Sequence, residues 1–238
     1  MKVTVFGLFV LVTMGTLFPC RVMADQRSYV WTYEYLTVPR GEAELETYFT
    51  ISAPDKDNLE GNTSTEHRLE LEVGMTECFD FAIYQIFSQA PEEGLEYDGF
   101  QLRARYRIGE KGKYFVDPLI YLEYKGVPDF SEHGLEAKLI LARDIGRFNI
   151  ALNPILEFEF GDENEVDPEY ALGMSYWIND LLRLGIEAKG SADGHYFGPV
   201  IAHGKGRFWV TLGSAFNVGS VEQGKPEFQI RMLLGIGF

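Results

Sequence analysis

Phe228-Gln229-Ile230-Arg231-Met232-Leu233-Leu234-Gly235-Ile236-Gly237-Phe238 closes the 238-residue chain. Read as an extended strand, it places Phe228, Ile230, Met232, Leu234, Ile236 and Phe238 on one face and Gln229, Arg231, Gly235 and Gly237 on the other. One face suits hydrocarbon and the other suits a polar or crowded interior, which is the two-residue period of a spanning strand in a membrane barrel. Any half-buried antiparallel strand also alternates. The rest of the chain therefore has to carry the decision.

The opposite end supplies a compartment. Met1-Lys2 precedes an apolar run from Val3 to Phe18, and Val22-Met23-Ala24 precedes Asp25, the form of a secretory signal cut after Ala24. The run is broken by Gly7, Thr13, Gly15 and Thr16 and falls short of the ~20 residues of a spanning helix. Leu17-Phe18-Pro19-Cys20 has the outline of a lipidation box, with Pro19 where a small residue is wanted. The expected organisation is a signal peptide over 1–24, an N-terminal periplasmic segment over 25–40 and a barrel over 41–238; the aromatics Tyr29, Trp31, Tyr33 and Tyr35 leave three roles open to that segment, the start of the first strand, a plug in the periplasmic mouth or a place at the interface.

Cleavage would remove Lys2 and Arg21 and no acid, moving the formal charge from -15 to -17. So acidic a chain is a poor partner for nucleic acid or for anionic lipid, both of which need clustered Lys and Arg. Cys78 alone would remain, so the sheet has to stabilise itself without an internal disulfide.

Segments of about ten alternating residues recur along the chain, with no 3.6-residue period. Strands are expected near 41–52, 65–75, 78–88, 98–108, 114–125, 134–144, 147–160, 169–177, 181–189, 194–203, 206–217 and 226–238. The count is twelve and the class is all-β. Tight connections at 76–77, 109–112, 145–146, 179–180 and 204–205 alternate with longer, mostly acidic ones at 54–64, 89–97, 126–132, 161–168, 190–193 and 218–225. Short turns at one end and longer loops at the other, with both termini on the short-turn side, are the habit of an antiparallel up-and-down transmembrane barrel.

The alternation separates two chemistries. Leu45, Thr47, Phe49, Ile51, Leu69, Leu71, Val73, Phe100, Leu102, Phe148, Ile150, Leu152 and Leu156 fall on one face. Glu42, Glu44, Glu46, Glu66, Arg68, Glu70, Glu72, Arg103, Arg105, Arg107, Glu157 and Glu159 fall on the other. A soluble barrel turns the apolar face inward, and twelve strands would leave it a wide apolar cavity to fill. A membrane barrel reverses the polarity and has no such difficulty. Aromatics near strand ends, such as Tyr97, Tyr114, Trp177 and Phe208, fit interfacial girdles.

Glu66 to Thr76 (Glu-His-Arg-Leu-Glu-Leu-Glu-Val-Gly-Met-Thr), Gly134 to Leu141 and Gly198-Pro199-Val200 resemble stretches of small, largely uncharacterised bacterial outer-membrane β-barrels. Those barrels are similar to transporters of the MetA-pathway phenol-degradation type. The resemblance implies a place in the bacterial outer membrane among its lipids. The face of Phe228, Ile230, Met232, Leu234, Ile236 and Phe238 also resembles the signal read by the barrel-assembly machinery, the expected assembly partner. No catalytic or binding residue is carried over.

Function is therefore sought on the charged face. Glu44, Glu46, Arg68, Glu70, Glu72, Arg103, Arg105, Arg107, Glu157, Glu159 and Arg231 are the expected lumen-lining residues of a solute or ion path. An acidic wall on the first two strands would face a basic ladder on the fourth, and such a transverse field orients small solutes in a passive channel. The alternative is a non-conducting structural or interaction barrel. There Arg68, Lys125, Lys138, Arg183, Lys189 and Arg231 pair with Glu123, Glu136, Glu157, Glu159 and Glu187 and fill the interior.

Enzyme chemistry has little to build on. His67 near Ser64, His133 near Ser131, His195 near Ser191 and the lone His203 are the candidate bases of a lipid hydrolase, yet the chain has no G-x-S-x-G or H-E-x-x-H. Asp55-Lys56-Asp57-Asn58 begins like a calcium loop but lacks its later ligands. Neither metal nor cofactor is expected.

Overall fold

The computed structural model describes residues 26–161 and 164–238. The expected signal peptide and its cleavage site lie outside the described residues. Twelve strands follow one another: β1 Ala43–Ala53, β2 Ser64–Gly74, β3 Phe79–Gln89, β4 Glu96–Arg107, β5 Asp117–Gly126, β6 His133–Ile145, β7 Phe148–Phe160, β8 Glu165–Trp177, β9 Leu182–Ser191, β10 Gly194–Lys205, β11 Phe208–Asn217 and β12 Phe228–Gly237. Each pairs antiparallel with its neighbours in sequence, and β12 closes on β1 with Thr47 opposite Leu234 and Phe49 opposite Met232. The molecule is a closed all-β barrel, as the alternation predicts, and no sheet edge is left open.

The observed ends lie within two residues of expectation except at the starts of β5 and β8, and some connections change in length. β8 begins at Glu165 rather than 169, because Pro168 lies opposite Leu156 within an otherwise continuous ladder to β7. β5 begins at Asp117, leaving Tyr114 and Phe115 in a longer turn over 108–116. The link between β9 and β10 is short: Ser191 pairs with Gly194 across Ala192-Asp193, so the longer loop expected at 190–193 is a tight hairpin. At the opposite end the hairpin turns at 146–147 and 206–207 open on Gly146 and Gly206, with φ of +63° and +71°. Positive φ at that position lets a two-residue turn match strand twist.

Polarity settles which face is inside. Leu69 is 47% exposed while Glu70, the next residue, is 0%, and this inversion repeats on every side of the barrel. Leu71, Ile83, Leu122, Leu152, Leu184, Leu212 and Ile236 point out, whereas Glu44, Glu46, Glu72, Asp80, Arg103 and Arg105 are buried within. Met232, Ile236 and Phe238 of the terminal strand are on the outer surface, and Arg231, Gly235 and Gly237 turn inward. Only a low-dielectric surround makes that arrangement favourable, so this is a barrel built to be solvated by lipid. Substituting Leu69, midway along β2, by Lys should destabilise the barrel in lipid vesicles by about 2–4 kcal/mol in urea unfolding, and should leave a detergent-free soluble form no better folded.

Candidate functional site

The interior is lopsided. On β8 to β11 many inward positions are small, among them Ala171, Gly173, Ser175, Gly185, Gly198, Ala202, Gly213 and Ala215. On β1 to β5 they are large and polar, with Tyr48, Glu70, Glu72, Tyr84, Arg103, Arg105, Tyr121 and Glu123. Residues 26–40 fill the space that the small half leaves. They enter beside Arg183 near the short-turn end, where the guanidinium donates to the Gln26 carbonyl and the Ser28 hydroxyl. They then rise to Trp31 and return to the same end, where Gly41 donates to the Gly74 carbonyl.

The loop is fastened at its neck, its tip and its flanks. Ser28 donates through its backbone N–H (2.7 Å) and hydroxyl (2.9 Å) to the Glu34 carboxylate, pinching the neck. At the tip the Glu187 carboxylate accepts the backbone N–H groups of Val30, Trp31 and Thr32 at 2.9, 3.0 and 2.8 Å. Asn153 accepts the Tyr33 N–H at 2.6 Å and donates to its carbonyl at 3.0 Å. Tyr29 donates to the Asn149 carbonyl, Thr211 to the Arg27 carbonyl, Tyr35 to the Gly109 carbonyl and Val38 to Asp80. The glycines are complementary holes. A Cβ on Gly173 would come within 2.6 Å of the Tyr29 ring, and one on Gly213 within 2.5 Å of Val30.

The described part of the 25–40 segment lies inside the barrel. Buried backbone donors must find acceptors, and Glu187, Asn149, Asn153 and Asp80 supply them from the wall. Removing the carboxylate in Glu187→Ala should speed amide exchange at Val30, Trp31 and Thr32 at least about tenfold, while amides of β1 and β12 stay protected.

The expected lumen-lining residues separate into groups. Glu44 accepts a hydrogen bond from the Trp209 indole. The Tyr48 hydroxyl lies 2.7 Å from both Glu46 and Glu70, and Arg27 of the loop donates to it at 2.9 Å. Arg103 reaches Glu70 and Glu72 at 2.6 Å each, and Arg105 contacts Glu72 and, at 2.7 Å, Asp80. Register explains the reach: Glu72 and Arg103 both stand opposite Ala82, whose small side chain leaves the space between them open. Arg107 donates to the Glu77 carbonyl and lies over the Tyr35 ring.

The anticipated field between an acidic wall on β1 and β2 and a basic ladder on β4 is therefore cancelled by direct pairing. Arg68 and Arg231 meet instead at Glu66, Glu157 pairs with Lys125, and Glu159 is exposed toward the loop end. Asp80, Asn149 and Asn153 escaped the sequence reading. The oxygens of Glu46, Glu70 and Glu72 approach within 4.8 Å of one another, but the guanidinium of Arg103 already neutralises Glu70 and Glu72. His67, His133 and His195 stack on Phe49, Tyr124 and Tyr170, and no serine hydroxyl bonds a histidine among the described residues.

Two cavities flank the loop. The one toward the short turns, about 460 Å³, is lined by Tyr35, Leu36, Asp117, Asp144 and Arg183. The one toward the longer loops, about 330 Å³, has Trp31 and Tyr33 of the inserted loop in its lining. Its wall from β9 round through β12 to β2 carries Lys189, Arg231 and Arg68. The wall from β5 to β8 carries Glu123, Glu136, Glu157 and Glu169 beside Lys125 and Lys138. The uncancelled field of the lumen runs here.

Comparison with known proteins places the fold. No protein-family model and no curated protein matches the chain. Among solved structures, the chain is similar to an outer membrane channel from Pseudomonas putida F1, at TM-score 0.65 and 12% identity over 88% of this chain and 100% of that one. It is also similar to the KdgM porin in complex with disordered oligogalacturonate (TM-score 0.54, 11% identity, 83% and 98% covered) and to the NanC porin (TM-score 0.53, 11% identity, 82% and 98% covered).

Proposed function

We propose that this protein is a bacterial outer-membrane channel for small solutes whose lumen is constricted by its own N-terminal loop. The reading rests on one observation: an apolar exterior encloses cavities on both sides of a single inserted loop whose backbone is fastened to polar side chains of the wall. The similar structures described as a channel and as porins support the same reading, and so does the resemblance to transporters of the MetA-pathway type.

The second reading, a non-conducting barrel closed by ion pairs, draws on the Arg103 and Arg105 network and on the seated loop. Recording the refolded mature protein in a planar bilayer separates the two. Discrete, ion-selective steps absent from a loop-locked disulfide variant support the channel. A heat-modifiable, folded barrel that stays silent under all voltages supports the closed scaffold.

A further inference from the structure

We propose that the loop-side cavity binds small zwitterionic, amino-acid-like solutes, an assignment that rests on the channel reading and names its substrate class. Charge in this cavity is divided by wall. Three cations, Arg68, Lys189 and Arg231, stand on one side, where Arg68 and Arg231 pair with Glu66. Four carboxylates, Glu123, Glu136, Glu157 and Glu169, stand on the other, where Lys125 pairs with Glu136 and Glu157 and Lys138 with Glu136. Among the described residues Lys189 and Glu169 have no ion-pair partner within 4.0 Å, although both line the cavity.

Their separation is a consequence of where Lys189 goes. Lys189 stands opposite Ala171 in the β8–β9 ladder, so Glu169 is its diagonal neighbour on the same inward face, within reach of a long side chain. The ammonium instead donates to Gln229 at 2.6 Å and lies over the rings of Trp31 and Tyr196, 4.7 and 5.3 Å from their centroids. Gln229 and the two rings therefore hold the cation on the β12 side while Glu169 keeps its place on β8. A solute with a carboxylate and an ammonium a few ångströms apart complements that gap, its carboxylate on Lys189 and its ammonium on Glu169. Val30, Trp31, Ile155 and Tyr121 supply apolar surface for its side chain, and about 330 Å³ is the scale of a small-solute pocket.

The test is titration calorimetry on the full mature protein folded in detergent, with L-leucine, N-acetyl-L-leucine (no ammonium) and L-leucinamide (no carboxylate) as probes. L-leucine should bind at least about tenfold tighter than either analogue. Lys189→Gln should weaken L-leucine about tenfold and leave L-leucinamide unchanged; Glu169→Gln should do the same with N-acetyl-L-leucine as the unchanged probe. Equal binding of the three probes, or L-leucine binding indifferent to both substitutions in proteins that keep the heat-modifiable mobility of a folded barrel, overturns the assignment. A conducting pore that fails this test leaves the channel reading intact, and selective binding by a silent barrel refutes the channel and keeps the site.

Discussion

Arg103→Met should cost the barrel about 3–5 kcal/mol, the largest loss expected from any single interior substitution. The guanidinium is almost wholly enclosed, reaching Glu70 and Glu72 at 2.6 Å, donating to the Tyr84 hydroxyl at 2.7 Å and lying 3.9 Å from Asp80. Methionine fits the volume but leaves those carboxylates without their shared cation, with Arg105 the remaining neighbour. Removing one member of a buried cluster strands charge, whereas removing all members together can be nearly neutral. A triple replacement of Arg103, Glu70 and Glu72 by apolar residues should therefore recover much of the loss. Urea unfolding in lipid vesicles followed by tryptophan fluorescence measures both, and an Arg103→Met barrel as stable as the parent would show that the cluster is hydrated and that Arg103 is dispensable.

Deleting residues 26–38 should have the largest effect on permeability. The loop touches β1 through Tyr48, β3 through Asp80, β7 through Asn149 and Asn153, β9 through Glu187 and β11 through Thr211, so it spans the lumen from wall to wall. Without it the two cavities join over an inner surface rich in glycine and alanine. Single-channel steps at least about threefold larger than those of the full chain are expected in planar bilayers, with little loss of barrel stability because Glu187 and the other former partners become hydrated. Equal conductance with and without the loop would show that the constriction lies in the ion-pair network.

The barrel was legible because its pattern is local: alternation names the outward face of each strand, and turn residues mark where each ends. Pro168 and the acids around it read as loop, yet a strand that rises beyond the membrane can carry them. Legibility fell at the lumen. Which Arg meets which Glu depends on register across three strands, and the part played by Ala82 between Glu72 and Arg103 is invisible in either strand alone. The inserted loop alternates as a strand does, with aromatics at Tyr29, Trp31, Tyr33 and Tyr35, so its pattern alone does not separate a plug from the start of a strand. A further signal was indirect: a run of inward Gly and Ala on β8 to β11, with Glu187 set among them and Asn153 beside them on β7, forms a mould before its contents are known.

Both ends of the inserted loop lie on the short-turn side, with Gln26 beside Arg183 and Gly41 beside Gly74. Among the described residues the loop does not thread the ring; it enters and leaves by the same mouth, like a bent finger. Closure of β1 on β12 and seating of the loop are topologically independent. Withdrawing the finger would part no pair of strands.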